Sequence, residues 1–153
     1  MMNKIVYVVF IASVLISCSK DAFPLFDEPF VHIMQNDLAA VEVSTSRRDV
    51  VQYYIYFSPA NIHSELRVEY TITAGDGLQE GRDYEIITQE NPLAFPPGIT
   101  QRPIQIRWID HAVDPDKDNT LRITLTGVNL DVNIGLPGPD NNQREFLITK
   151  VNN

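Results

Sequence analysis

Leu66, Val68, Tyr70 and Ile72 alternate with Arg67, Glu69, Thr71 and Thr73, the period of two that turns one face of a strand to a core and the other to water. Ile104, Ile106 and Trp108 alternate with Gln105 and Arg107 in the same way, as do Leu121, Ile123 and Leu125 with Arg122, Thr124 and Thr126. Further strands are predicted over 31–34, 40–45, 51–57, 84–88 and 145–151, most of them rich in β-branched or aromatic residues. Turn signals separate them: Ser58-Pro59, Gly75-Asp76-Gly77, Gly81, Pro96-Pro97-Gly98, Asp114-Pro115 and Pro137-Gly138-Pro139. No window carries a helix of three turns. Seven or eight short strands between such turns predict an all-β fold, an antiparallel sandwich of immunoglobulin type, with a closed barrel as the structural alternative.

The N-terminus breaks the pattern. Lys4 precedes an almost wholly apolar run, Ile5 to Ile16. As a helix this run spans about 18 Å, too short for a hydrocarbon core of roughly 30 Å, and it reads as the apolar region of a signal peptide. Leu15-Ile16-Ser17-Cys18 resembles the lipobox of bacterial lipoproteins, which implies cleavage before a multiply acylated Cys18 and stable anchoring to a membrane leaflet. The expected organisation is a leader over 1–17, a lipid-anchored tether over 18–29 with two prolines and little periodicity, and one domain over 30–153. Ser19-Lys20-Asp21 is similar to the surface-export signals of lipoproteins in Bacteroidetes-type bacteria, so the outer membrane is the expected address, with the cell surface preferred over the periplasmic face.

Composition narrows the partners. The net charge of −8 becomes one unit more negative once Lys4 leaves with the leader, and such a surface repels nucleic acid and acidic lipid headgroups. Cys18 is the single cysteine of the sequence, so no disulfide forms within one chain and stability has to come from packing.

From Leu66 onward the chain resembles the Calx-beta domain, a small immunoglobulin-like sandwich. The resemblance rests on Val68-Glu69-Tyr70-Thr71-Ile72, Gly81-Arg82-Asp83-Tyr84, Leu93-Ala94-Phe95-Pro96-Pro97-Gly98, the strand Ile104 to Asp110, the acidic loop Asp114 to Asp118, and Leu121 to Leu125, in that order. Pro97-Gly98 suits a chain reversal, because proline presets φ and glycine accepts φ > 0. Tyr84 is expected to bury its ring and pass its hydroxyl to a backbone partner at a sandwich corner. Small lipoproteins of this look implicate a binding or scaffolding role at the surface, accessory to glycan uptake, in complex with a glycan or an outer-membrane protein.

Two groups of residues carry candidate chemistry. Asp114, Asp116 and Asp118, with Asp110 upstream, have the alternating carboxylates that can converge on a hard cation. An EF-hand is excluded, since its glycine and glutamate positions fall on Asn119 and Leu125. The Calx-beta resemblance implies calcium as the cation, held by this loop and by an acidic run at the end of the last strand; here that end reads Lys150-Val151-Asn152-Asn153, with no carboxylate, and Glu80 and Asp83 contribute only where the loops converge. A calcium-stabilised adhesion module is the alternative function this would support. Tyr54 and Tyr56 fall on the face opposite Val51, Tyr53, Ile55 and Phe57, at the i, i+2 separation of about 6.5 to 7 Å, close to a sugar-ring repeat and suited to stacking a glycan.

Nothing points to catalysis. His32, His63 and His111 lack the close pairing of zinc ligands. Ser58 and Ser64 lack a nucleophile elbow, and a sandwich of this size offers little room for a deep cleft between paired carboxylates. Trp108 falls on the inward face with Ile104 and Ile106. The expectation is a protein that is not an enzyme and carries no resident cofactor beyond calcium.

Overall fold

The computed structural model describes residues 28–59 and 63–153; the leader, Cys18 and the tether up to residue 27 lie outside them. Ten strands form the described chain: β1 (Phe30–Met34), β2 (Ala40–Ser44), β3 (Val50–Ser58), β4 (Leu66–Ala74), β5 (Tyr84–Ile86), β6 (Leu93–Phe95), β7 (Gln101–Trp108), β8 (Thr120–Val128), β9 (Asn133–Ile134) and β10 (Glu145–Val151). They build two five-stranded sheets in the orders β5-β7-β3-β1-β9 and β2-β10-β8-β4-β6. Both sheets are open at their edges, so the fold is a sandwich and not a closed barrel.

The three clearest alternations each become a long strand whose apolar residues are the core. Leu66, Val68, Tyr70, Ile104, Ile106, Trp108, Leu121, Ile123 and Leu125 are all buried. Val31, Ile33, Tyr53 and Ile55 complete the inner face of the first sheet, and Phe146 and Ile148 that of the second. Trp108 Nε1 donates to Tyr53 Oη at 3.0 Å, which pairs the polar tips of two fully buried rings. The same burial pushes the Tyr53 phenol up to about 12.

Two strands, β6 and β9, lie in segments to which the sequence pattern assigned no strand. β6 is held by β4, with Leu66 opposite Phe95 and Val68 opposite Leu93, and β9 by parallel pairing with β1. Segments of three and two residues are too short to show a period, and tertiary pairing alone makes them strands. β5 stops at Ile86 instead of Thr88 because the Thr88 hydroxyl takes the Gln105 N–H at 2.9 Å in place of a main-chain partner. Pro103 sits inside β7 opposite Tyr54, where β5 has already ended and no second neighbour requires its missing N–H.

Pro96 to Ile99 forms the expected reversal: Ile99 N–H donates to Pro96 O at 3.0 Å and Gly98 has φ 87°, a value that suits glycine at the third turn position. The corner role expected of Tyr84 falls instead to Tyr70. The Tyr84 ring is buried and packs 6.3 Å from Trp108, but it is the Tyr70 hydroxyl that donates to a main-chain oxygen, Glu90 O, at 2.9 Å.

Candidate functional site

The antiparallel register of β1 and β3 sets His32 opposite Tyr56, Met34 opposite Tyr54 and Phe30 opposite Ser58. Val31 and Ile33 point into the core, so Phe30, His32 and Met34 share the outer face with Tyr54 and Tyr56. An aromatic row results. Ring centroids are 5.4 Å apart from Phe30 to His32, 5.5 Å from His32 to Tyr56 and 6.1 Å from Tyr56 to Tyr54. On β7, Gln101 lies opposite Tyr56, Pro103 opposite Tyr54 and Gln105 opposite Gln52, so the row is bordered by apolar surface and by amides. The Tyr54 hydroxyl donates to Gln52 Oε1.

The two tyrosines are half-buried. His32 lies nearly parallel to Tyr56, at 20°, and covers part of one ring face. His32 itself is 8% exposed, and its Nδ1 has no hydrogen-bond partner. Burial lowers its pKa, which favours the neutral ring within the stack. In the sequence His32 is only a histidine without zinc pairing and Phe30 stands outside the predicted strand; the alternation Phe30-His32-Met34 joins Tyr54 and Tyr56 only through the pairing of β1 with β3.

The acidic residues are not brought together. Asp110 is paired with Arg48, whose Nε lies 3.0 Å from Oδ2. Asp114 Oδ1 accepts the Asp116 N–H at 3.0 Å, and Asp118 Oδ1 accepts the Thr120 N–H and hydroxyl at 3.1 and 2.7 Å. Asp76, from the turn after β4, accepts the Asp118 N–H at 2.9 Å. Among the described residues no three His, Cys, Asp or Glu side chains form a group that could hold a metal ion. Asp110, Asp114 and Asp118 instead engage a neighbouring arginine and N–H groups of their own loop, since an aspartate in a turn readily reaches an N–H two residues on.

Asp83, from the Gly81-Arg82-Asp83-Tyr84 segment, is a buried hub. Its Oδ2 accepts the Gln79 N–H at 2.9 Å and the Arg82 Nε–H at 2.8 Å, while His111 Nδ1 lies 3.0 Å and Lys150 Nζ 3.3 Å from Oδ1. Burial alone would raise this carboxyl, but the Gln79 N–H, the Arg82 guanidinium and the Lys150 ammonium hold it below the ordinary carboxylate value. A cleft of about 450 Å³ opens nearby between Val113, Pro115, Asn119 and Thr149; its lining includes no histidine and a single carboxylate, Asp118.

In three dimensions the chain is similar to the crystal structure of CBD12 from CALX1.2, with a TM-score of 0.57 and 17% identity, over 80% of this chain and 44% of that one. The likeness establishes the fold, a Calx-beta-like β-sandwich. The chain thus spans less than half the length of that structure. No protein-family model and no curated protein matches the sequence.

Proposed function

We propose that this chain is a non-enzymatic, lipid-anchored envelope protein whose sandwich displays the outer face of β1 and β3 as a binding surface for a glycan, in an accessory role to glycan uptake. The observation that carries the reading is the aromatic row from Phe30 through His32 and Tyr56 to Tyr54, bordered by Gln52, Gln101 and Gln105. Ring faces bury the apolar faces of sugars, and amides fix hydroxyls by donating and accepting at once. A centroid spacing of 6.1 Å between the tyrosines is close to the repeat of successive sugar rings. The lipobox resemblance at Leu15 to Cys18 supports the anchor and the envelope address. A calcium-stabilised adhesion module has less support, since Asp110 is engaged by Arg48 and the loop aspartates by their own backbone.

The test is electrophoresis of the full chain in detergent through gels carrying a panel of polysaccharides, with Tyr54→Ala and Tyr56→Ala as controls. Retardation by a glycan that is lost in either variant is the expected result. Mobility unchanged across the panel would sink the glycan reading and leave protein scaffolding as the better account of the face.

A further inference from the structure

The last strand carries a lysine where its alternation calls for a core residue. Phe146, Ile148 and Lys150 share the inward face of β10, and Lys150 is 1% exposed. An ammonium in such a place carries a large desolvation penalty unless its hydrogens are all matched. They are: Nζ donates to Ile109 O at 2.9 Å and to Asp83 O and Asp83 Oδ1 at 3.3 Å each. Three acceptors meet the three hydrogens of an ammonium, whereas a neutral amine has two and would leave one oxygen unpaired.

The chemistry of this donor set is specific. One carboxylate oxygen and two main-chain carbonyls are the ligands that a hard cation gathers. Asp83 precedes β5 and Ile109 follows β7, at one end of the first sheet, while Lys150 stands on β10 in the second. The three contacts therefore join the two sheets across the core. The remaining carboxylate oxygen, Asp83 Oδ2, is taken by the Gln79 N–H and by Arg82, so a divalent ion entering here would have to displace attached positive charge.

We propose that Lys150 is a tethered cation: its ammonium fills the place of a metal ion among Asp83 Oδ1, Asp83 O and Ile109 O, so that this end of the sandwich assembles without divalent metal. Two consequences separate this role from ordinary packing. The intact protein is indifferent to calcium, and removal of the whole side chain leaves three oxygens that a free cation can occupy.

The experiment is thermal melting of the full chain in detergent, in calcium and in chelator, for the wild type, Lys150→Met and Lys150→Ala. The wild type is expected to melt at one temperature in both. Lys150→Met keeps the apolar stem without the charge and is expected to melt lower in both. Lys150→Ala is expected to melt lower in chelator and to recover in calcium. A calcium-dependent shift in the wild type, wild-type melting of Lys150→Met, or a folded Lys150→Ala that ignores calcium would each overturn the proposal. So would an intact wild-type mass lighter by one water, since Lys150 and Asp83 would then be joined as an amide and carry no charge. Should Lys150→Ala not fold, the wild-type and Lys150→Met measurements still decide.

Discussion

At the scale of single residues, the decisive side chain is Asp83. It is fully buried and faces Arg82, His111 and Lys150, so its worth lies in neutralising a buried lysine. Asp83→Asn leaves that ammonium without its countercharge, and breaking a buried pair in this way costs about 3 to 5 kcal/mol. Denaturant unfolding of the variant checks the figure. The pH dependence follows from the lowered carboxyl of Asp83. Its contribution is complete above the unfolded carboxylate value near 3.9, and it drains away as the pH falls from there through the lower folded value. The wild type is therefore expected to lose stability in acid more steeply than Asp83→Asn; equal slopes would show that another carboxylate governs the acid limb.

At the scale of elements, the turn after β4 and the loop before β8 meet as closely as backbones can. A Cβ on Gly75 would fall 2.3 Å from Asp118 O and 2.4 Å from Asp118 Cγ, a main-chain collision that side-chain motion does not relieve. Gly75→Ala is expected to destabilise the protein by about 1 to 3 kcal/mol, the usual range for overpacking, without disturbing the aromatic row on the opposite sheet. A lowered melting temperature with unaltered polysaccharide retardation is the expected pair of results. The same corner explains the loop aspartates: Asp118 is held by Asp76, by Thr120 and by the Gly77 N–H, which donates to its main-chain oxygen at 2.9 Å, so it closes a corner between β4 and β8.

At the scale of the whole molecule, none of the four edge strands exceeds five residues. β5, β6 and β9 have three, three and two residues, and β2 has five, against nine in the central strands β3, β4 and β8. Short edges offer little unpaired backbone to a second chain. Cooperative protection should accordingly rise from rim to centre. Hydrogen exchange is expected to be fastest in β9 and β6 and slowest in β3 and β8; uniform protection of edge and centre would contradict this ordering.

How much of this was legible beforehand follows from the range of each interaction. The period of two in 66–73, 104–108 and 121–126 fixed the core faces of β4, β7 and β8, because alternation is a local property of extended chain. The outward turn of Tyr54 and Tyr56 followed from the same rule, and the φ of Gly98 from Pro97-Gly98. Pairing between distant segments was not local. Only the register of β1 against β3 put His32 and Phe30 beside the tyrosines, and only the crossing of β10 from one sheet toward the end of the other brought Lys150 to Asp83, 67 residues away. A lysine near a chain end reads as a solvated charge until the fold closes around it; the low polarity of the core then obliges it to find three oxygens, and those oxygens come from two places that the sequence keeps apart.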